Sequence, residues 1–203
     1  MPSDVSAEPA EVQAIVSSLA LIPHPEGGYF RETWRGGAEP MASRGKTDNG
    51  GELMSTVRRA GDGDEGQRNV MTSMLWMLTK QLPYGCWIQN ASTHVHYHHG
   101  GGTIEYHVVT ADGRLEKHRL GPNYQAGDVP QLIVPGGWLK CAQLVQGAWA
   151  LIGEGVAPGF DFRDMKSVTA EQLKRACPEA FEAAGALIDP KSADNTDAFY
   201  ERK

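Results

Sequence analysis

From Val70 onward, short runs rich in β-branched and aromatic residues recur every eight to twelve positions: 71–79, 86–90, 94–98, 104–110, 114–120, 131–134, 138–145 and 149–154. Turn chemistry separates them, at Pro83-Tyr84-Gly85, Gly100-Gly101-Gly102, Ala111-Asp112-Gly113, Gly121-Pro122-Asn123, Gly136-Gly137 and Gln146-Gly147. Strands so short and so regularly interrupted bury their apolar faces only against one another. The pattern therefore predicts an antiparallel sandwich or barrel.

The flanks read differently. Val12, Ile15, Val16 and Leu19 follow the i, i+3, i+4, i+7 spacing of an amphipathic helix over 7–20, with Ser6 as its N-cap. Residues 28–35 alternate as a strand behind the breakers Pro23, Pro25 and Gly27-Gly28. Between Pro40 and Asn69 the pattern vanishes: six Gly, five basic and five acidic residues predict an inserted loop, with a short paired segment near Leu53–Val57. Thr169-x-x-Gln172 is a capping box, and Pro178 suits a helical first turn, so 167–188 is expected to be a C-terminal helical segment. No repeat or linker divides the chain. Residues 1–203 are expected to form one domain.

Composition excludes some partners. With 19 Lys+Arg against 25 Asp+Glu the net charge is −6, which argues against nucleic acid. Cys86, Cys141 and Cys177 lack metal-ribbon spacing and suit reduced thiols. No basic n-region precedes an apolar stretch and no run approaches the length of a membrane span, so the expectation is a cytoplasmic protein with no membrane partner.

Of seven histidines, five (His94, His96, His98, His99 and His107) fall within fourteen residues. Side chains alternate along a strand, so His94, His96 and His98 share one face. Residues i and i+2 lie about 7 Å apart, which lets His94 and His96 converge on one zinc, iron or nickel ion. His94 and His98 are about 13 Å apart along the strand, too far to join the same ion. Metal-free acid/base chemistry is the competing use of the same rings.

Several boxes carry a family resemblance: Leu21-Ile-Pro-His-Pro-Glu-Gly-Gly-Tyr-Phe-Arg-Glu-Thr-Trp34, Gly121-Pro122, Pro130-Gln131, Val134-Pro-Gly-Gly-Trp138 and Val156-Ala-Pro-Gly-Phe-Asp-Phe162. Over 21–187, apart from the 40–69 insertion, the chain resembles an uncharacterised branch of the cupin superfamily, similar in fold to the dTDP-sugar 3,5-epimerases. The resemblance implies an all-β core, a cupin jelly roll (double-stranded β-helix) with flanking N- and C-terminal helices. It also implies a homodimer with its active site in the barrel mouth. Laying the first cupin motif on Trp87 and Gly101 puts Ile88 and Asn90 at the two ligand-histidine positions and His94 at the glutamate position; the second motif puts Lys140 at the last histidine. The usual metal triad is absent, and the same alignment turns His94, His96 and His98 inward.

The expectation is a small-molecule enzyme working inside the barrel by histidine general acid/base catalysis, of isomerase, epimerase, cyclase or lyase type and without redox chemistry. His94, His96 and Lys140 are its candidate catalytic residues. Ile88, Asn90, His98, Tyr29, Arg31 and Trp138 are candidates for binding a small polar substrate bearing a carboxylate or carbonyl, with Arg31 as the clamp and Trp138 as wall. No cofactor is favoured. The alternatives are a metal-dependent dioxygenase or lyase holding its ion through His94, His96 and Asn90, and a barrel that only binds a ligand. His24 is expected to brace its loop, and Glu105 and His107 to have structural meaning.

Overall fold

The computed structural model describes residues 5–36, 53–55 and 67–193. Helix α1 (Ala10–Ser18) is followed by strands β1 (Ile22–Pro23), β2 (Tyr29–Arg35), β3 (Leu53–Ser55), β4 (Gln67–Asn69), β5 (Thr72–Thr79), β6 (Tyr84–Asn90), β7 (Thr93–Val109), β8 (Leu115–Leu120), β9 (Gln131–Val134), β10 (Leu139–Ala157) and β11 (Met165–Ser167), then α2 (Ala170–Ala176) and α3 (Pro178–Ala184). Nine strands form one curled antiparallel sheet in the order β1-β2-β5-β10-β6-β11, with β7 on β10 and carrying β8 and β9. The all-β roll with a helix before it and helices after it is the architecture expected. Among the described residues no helix is long and apolar enough to cross a membrane.

Two expected turns are not turns. Gly100–Gly102 lies inside the 17-residue β7 and Gln146-Gly147 inside the 19-residue β10. These strands pair from Leu139↔Val109 to Ala157↔Thr93, with register shifts around Gln146. The glycines sit at the bend: Gly101 and Gly147 have φ of +82° and +91°, and a Cβ on Gly102 would lie 1.7 Å from the Gln146 carbonyl oxygen. Their role is to let two long strands bulge and fold over together rather than to reverse the chain.

Ser6 does not cap α1; Pro9 precedes the helix with no side-chain cap, and Ser6 lies in a short 3₁₀ turn. Val12 and Val16 pack with Leu21, Tyr29 and Met77 on the outside of the sheet. The Thr169–Gln172 capping box forms, and Pro178 opens α3. These helices cover Trp87, Val109 and Cys141. Of the expected 40–69 loop, Leu53–Ser55 pairs with Gln67–Asn69; its other parts lie outside the described residues.

Candidate active site in the barrel

Lys140 and Glu154 stand on one strand, about 46 Å apart were it extended. The bend in β10 brings Lys140 Nζ to 3.5 Å from Glu154 Oε1. Register supplies the rest of the cluster. The first half of β10 sets Lys140 between Ile88 and Val108, and the second half sets Glu154 between Met74 and His96, with Val156 beside His94. His94, His96, Lys140 and Glu154 are all buried and line a cavity of about 570 Å³.

Nδ1 of His94 touches Glu154 Oε1 and lies 2.9 Å from Lys140 Nζ. One ring nitrogen serves only one of these partners. With its proton on Nδ1 the ring donates to Glu154 and leaves Nε2 a bare lone pair; with its proton on Nε2 it accepts from Lys140 and presents Nε2–H. In either tautomer Nε2 has no partner among the described residues. His96 is committed at both nitrogens: Nε2 accepts from Lys140 at 3.1 Å, and Nδ1 lies 3.4 Å from both Tyr106 Oη and Glu154 Oε2.

Burial lowers the His94 and His96 pKa values, and the Lys140 charge lowers them further against the opposing pull of Glu154. Burial opposes ionisation of Glu154, but Lys140 and then the two imidazoles hold that carboxyl well below its usual range. The cluster thus rests as neutral rings around an ammonium–carboxylate pair.

The donor set also bears on metal binding. Ligand atoms of His94, His96 and Glu154 lie within 4.8 Å of one another, a two-imidazole, one-carboxylate group suited to a divalent ion. Lys140 Nζ stands at 2.9, 3.1 and 3.5 Å from their nitrogens and oxygen, so a cation already occupies the centre. An ion held by these residues would require Lys140 to move out of the centre of the group. The third donor is moreover Glu154 and not Asn90, whose side-chain atoms bond none of the described residues.

The other expected site residues divide. Ile88 and Asn90 line the cavity. Tyr29 does not: its hydroxyl donates to buried Glu8, which also accepts from Thr79, tying α1 to the sheet. Arg31 has the parity of Tyr29 and stays outside, whereas Phe30, Glu32 and Arg35 line the wall. His98 lies beyond the cavity, its Nε2 bonded to the Gly102 carbonyl at the bend. Trp138 packs beside the core, while Trp76 forms wall. Cys86 also lines the cavity, but burial, with Asp189 and Glu26 adding to it, pushes its thiol up to about 12, far from a thiolate nucleophile.

Sequence reasoning missed two residues. Glu154 is the only charged residue between Lys140 and Asp161, and an isolated carboxylate in an apolar strand was a readable signal. His24 does brace its turn, accepting the Glu26 N–H at Nδ1 over 3.1 Å, but it lines the cavity as well.

A family model described as cupin superfamily (DUF985) matches residues 13–168. The chain is 33% identical over 160 residues, 77% of its own length and 74% of the relative's, to an uncharacterized protein of Saccharomyces cerevisiae, YML079W. Among solved structures it is similar to a hypothetical protein from Leishmania major (TM-score 0.67, 24% identity, covering 88% of this chain and 96% of that one). It is also similar to protein SO0799 from Shewanella oneidensis (TM-score 0.66, 22% identity, 87% and 95%). At these identities the two structures speak to the fold alone.

Proposed function

The chain belongs to the cupin superfamily, in its DUF985 branch, and on that premise we infer that it is a small-molecule enzyme moving protons at His94, without redox chemistry and without a metal. The carrying observation is the state of the His94 ring: Nδ1 engaged by Glu154 and Lys140, Nε2 buried and without a partner among the described residues, the ring on a cavity wall. A neutral imidazole so held removes a proton at Nε2 while Glu154 stabilises the imidazolium that forms. The same ring then returns the proton. Lys140, held between Glu154 and the two imidazoles, keeps that carboxylate ionised beside the ring.

His96, with both nitrogens committed, is a positioning residue that holds Lys140 and Glu154 in register. Proton removal and return by one ring favour an isomerase or tautomerase-type reaction over two-base epimerisation. A cyclase or lyase that begins by removing a proton beside a carbonyl uses the same parts.

A metal-dependent reading is favoured by one observation, the His94–His96–Glu154 group, and requires Lys140 to leave its centre. Metal analysis of protein purified without chelators separates the two: a stoichiometric ion needed for turnover replaces the metal-free reading. The direct test is deuterium incorporation next to the carbonyl in a panel of small carbonyl compounds in D₂O. His94→Gln is expected to lower that exchange about 100-fold or more. Wild-type exchange in the variant removes the proposal.

A further inference from the structure

Among the described residues that line the cavity, the positive charges of Arg35 and Lys140 are spent. Arg35 gives Nε and Nη2 to Glu32 at 2.9 and 2.5 Å and Nη1 to Asn69 and the Phe160 carbonyl, and Lys140 is held by Glu154 and the two imidazoles. An anionic ligand would have to break a buried ion pair and enter beside the carboxylates of Glu26, Glu32 and Glu154 on the same wall. What remains unspent among the described residues is uncharged. Both side-chain polar atoms of Asn90 are buried and unbonded among the described residues, and a buried amide so placed calls for a partner. His24, half-buried on the cavity wall, is the second uncharged group. Its Nδ1 accepts from Glu26, which puts the ring proton on Nε2, and burial lowers its pKa to about 4 despite the pull of Glu154, so it stays neutral near pH 7. Aromatic edges make much of the rest: His24 meets Phe30 at 4.5 Å and Phe160 meets Phe162 at 5.0 Å, both T-shaped, with Trp76 on the same wall.

Building on the proton-transfer reading of this site, we propose that the barrel takes an uncharged, flat, largely apolar carbonyl compound whose oxygen is received by the Asn90 amide and His24 Nε2–H. The aromatic walls take its ring or chain and His94 meets the carbon beside its carbonyl. A carboxylate- or phosphate-bearing substrate is disfavoured.

Binding of size-matched probes tests this. Acetophenone, benzamide, benzoate and benzylammonium are titrated to about 10 mM into the wild-type chain, following the Asn90 side-chain and His24 ring ¹⁵N signals. The two neutral carbonyl probes are expected to bind at least about tenfold more tightly than either ion, and Asn90→Leu to weaken benzamide by about as much. Benzoate binding as tightly as benzamide, or no probe moving either signal, overturns the proposal. The ranking of probes on the unmodified chain stands whether or not Asn90→Leu folds. Failure of the underlying reading looks different: neutral probes then bind, yet no carbonyl compound exchanges its neighbouring proton. If exchange is seen with pyruvate while benzoate is preferred, the substrate class falls and the chemistry stands.

Discussion

At the scale of single residues, the cluster is an ion pair around which two imidazoles are arranged, and each member has its own expected signature. Glu154→Gln keeps the shape but removes the charge that stabilises a His94 imidazolium. It is expected to reduce proton exchange about as strongly as removing a general base, on the order of 100-fold, with the same measurement as for His94. Lys140→Met removes the central cation while leaving His94, His96 and Glu154 facing one another. That variant is expected to bind one equivalent of Co²⁺ or Zn²⁺, read by titration calorimetry or Co²⁺ absorption, where the wild type binds none. Equal uptake by both chains shows that Lys140 does not block the site. His24 makes stability depend on pH in a stated direction. Its folded pKa of about 4 lies below the ordinary 6.5, so between these values the unfolded chain binds a proton that the folded chain does not. Stability is therefore whole above about 6.5, falls as pH drops toward 4 and loses nothing further to this group below that. Urea midpoints at pH 7 and 4.5 should differ less in His24→Gln than in the wild type.

At the scale of elements, the paired bend of β7 and β10 makes the site. It folds each strand back across the barrel, so that the two halves of β10 deliver a cation and a carboxylate to one point. Gly102→Ala sets a methyl against the Gln146 carbonyl and is expected to cost about 2–3 kcal/mol in urea unfolding. An unchanged midpoint would mean that the bend yields easily. A second structural device ties the rim together: Arg68 at β4 holds Asp164 by two hydrogen bonds of 2.8 Å, both side chains buried. It anchors the described end of the 40–69 segment beside the Phe160–Met165 stretch that lines the cavity.

At the scale of the molecule, the roll is closed outside by helices and open inside to a cavity about the size of a small organic ligand. Apolar cover comes from α1 on one flank and from α2 and α3 on the other, which leaves the interior face of β5, β6, β7 and β10 to carry chemistry. The homodimer implied by the family resemblance remains a proposal. Sedimentation at twice 22.0 kDa supports it, and sedimentation at 22.0 kDa removes it.

The sequence by itself determined the all-β class, the capping box at Thr169, and the shared strand face of His94 and His96, which the cupin resemblance turned inward. All three follow from local rules: side chains alternate along a strand, turns need particular residues, and a helix end needs a cap. Tertiary structure alone decided which side chains meet. Gly100–Gly102 and Gln146-Gly147 carry the composition of turns, and only their pairing across two strands shows them to be a shared bend. That bend joins Glu154 to His94 across 60 positions and closes Lys140 between them. His24 reaches the same cavity from the far end of the chain. Spacing along a sequence reports neighbours on one strand, whereas a catalytic cluster in a barrel is assembled from strands that are neighbours only once the sheet has curled.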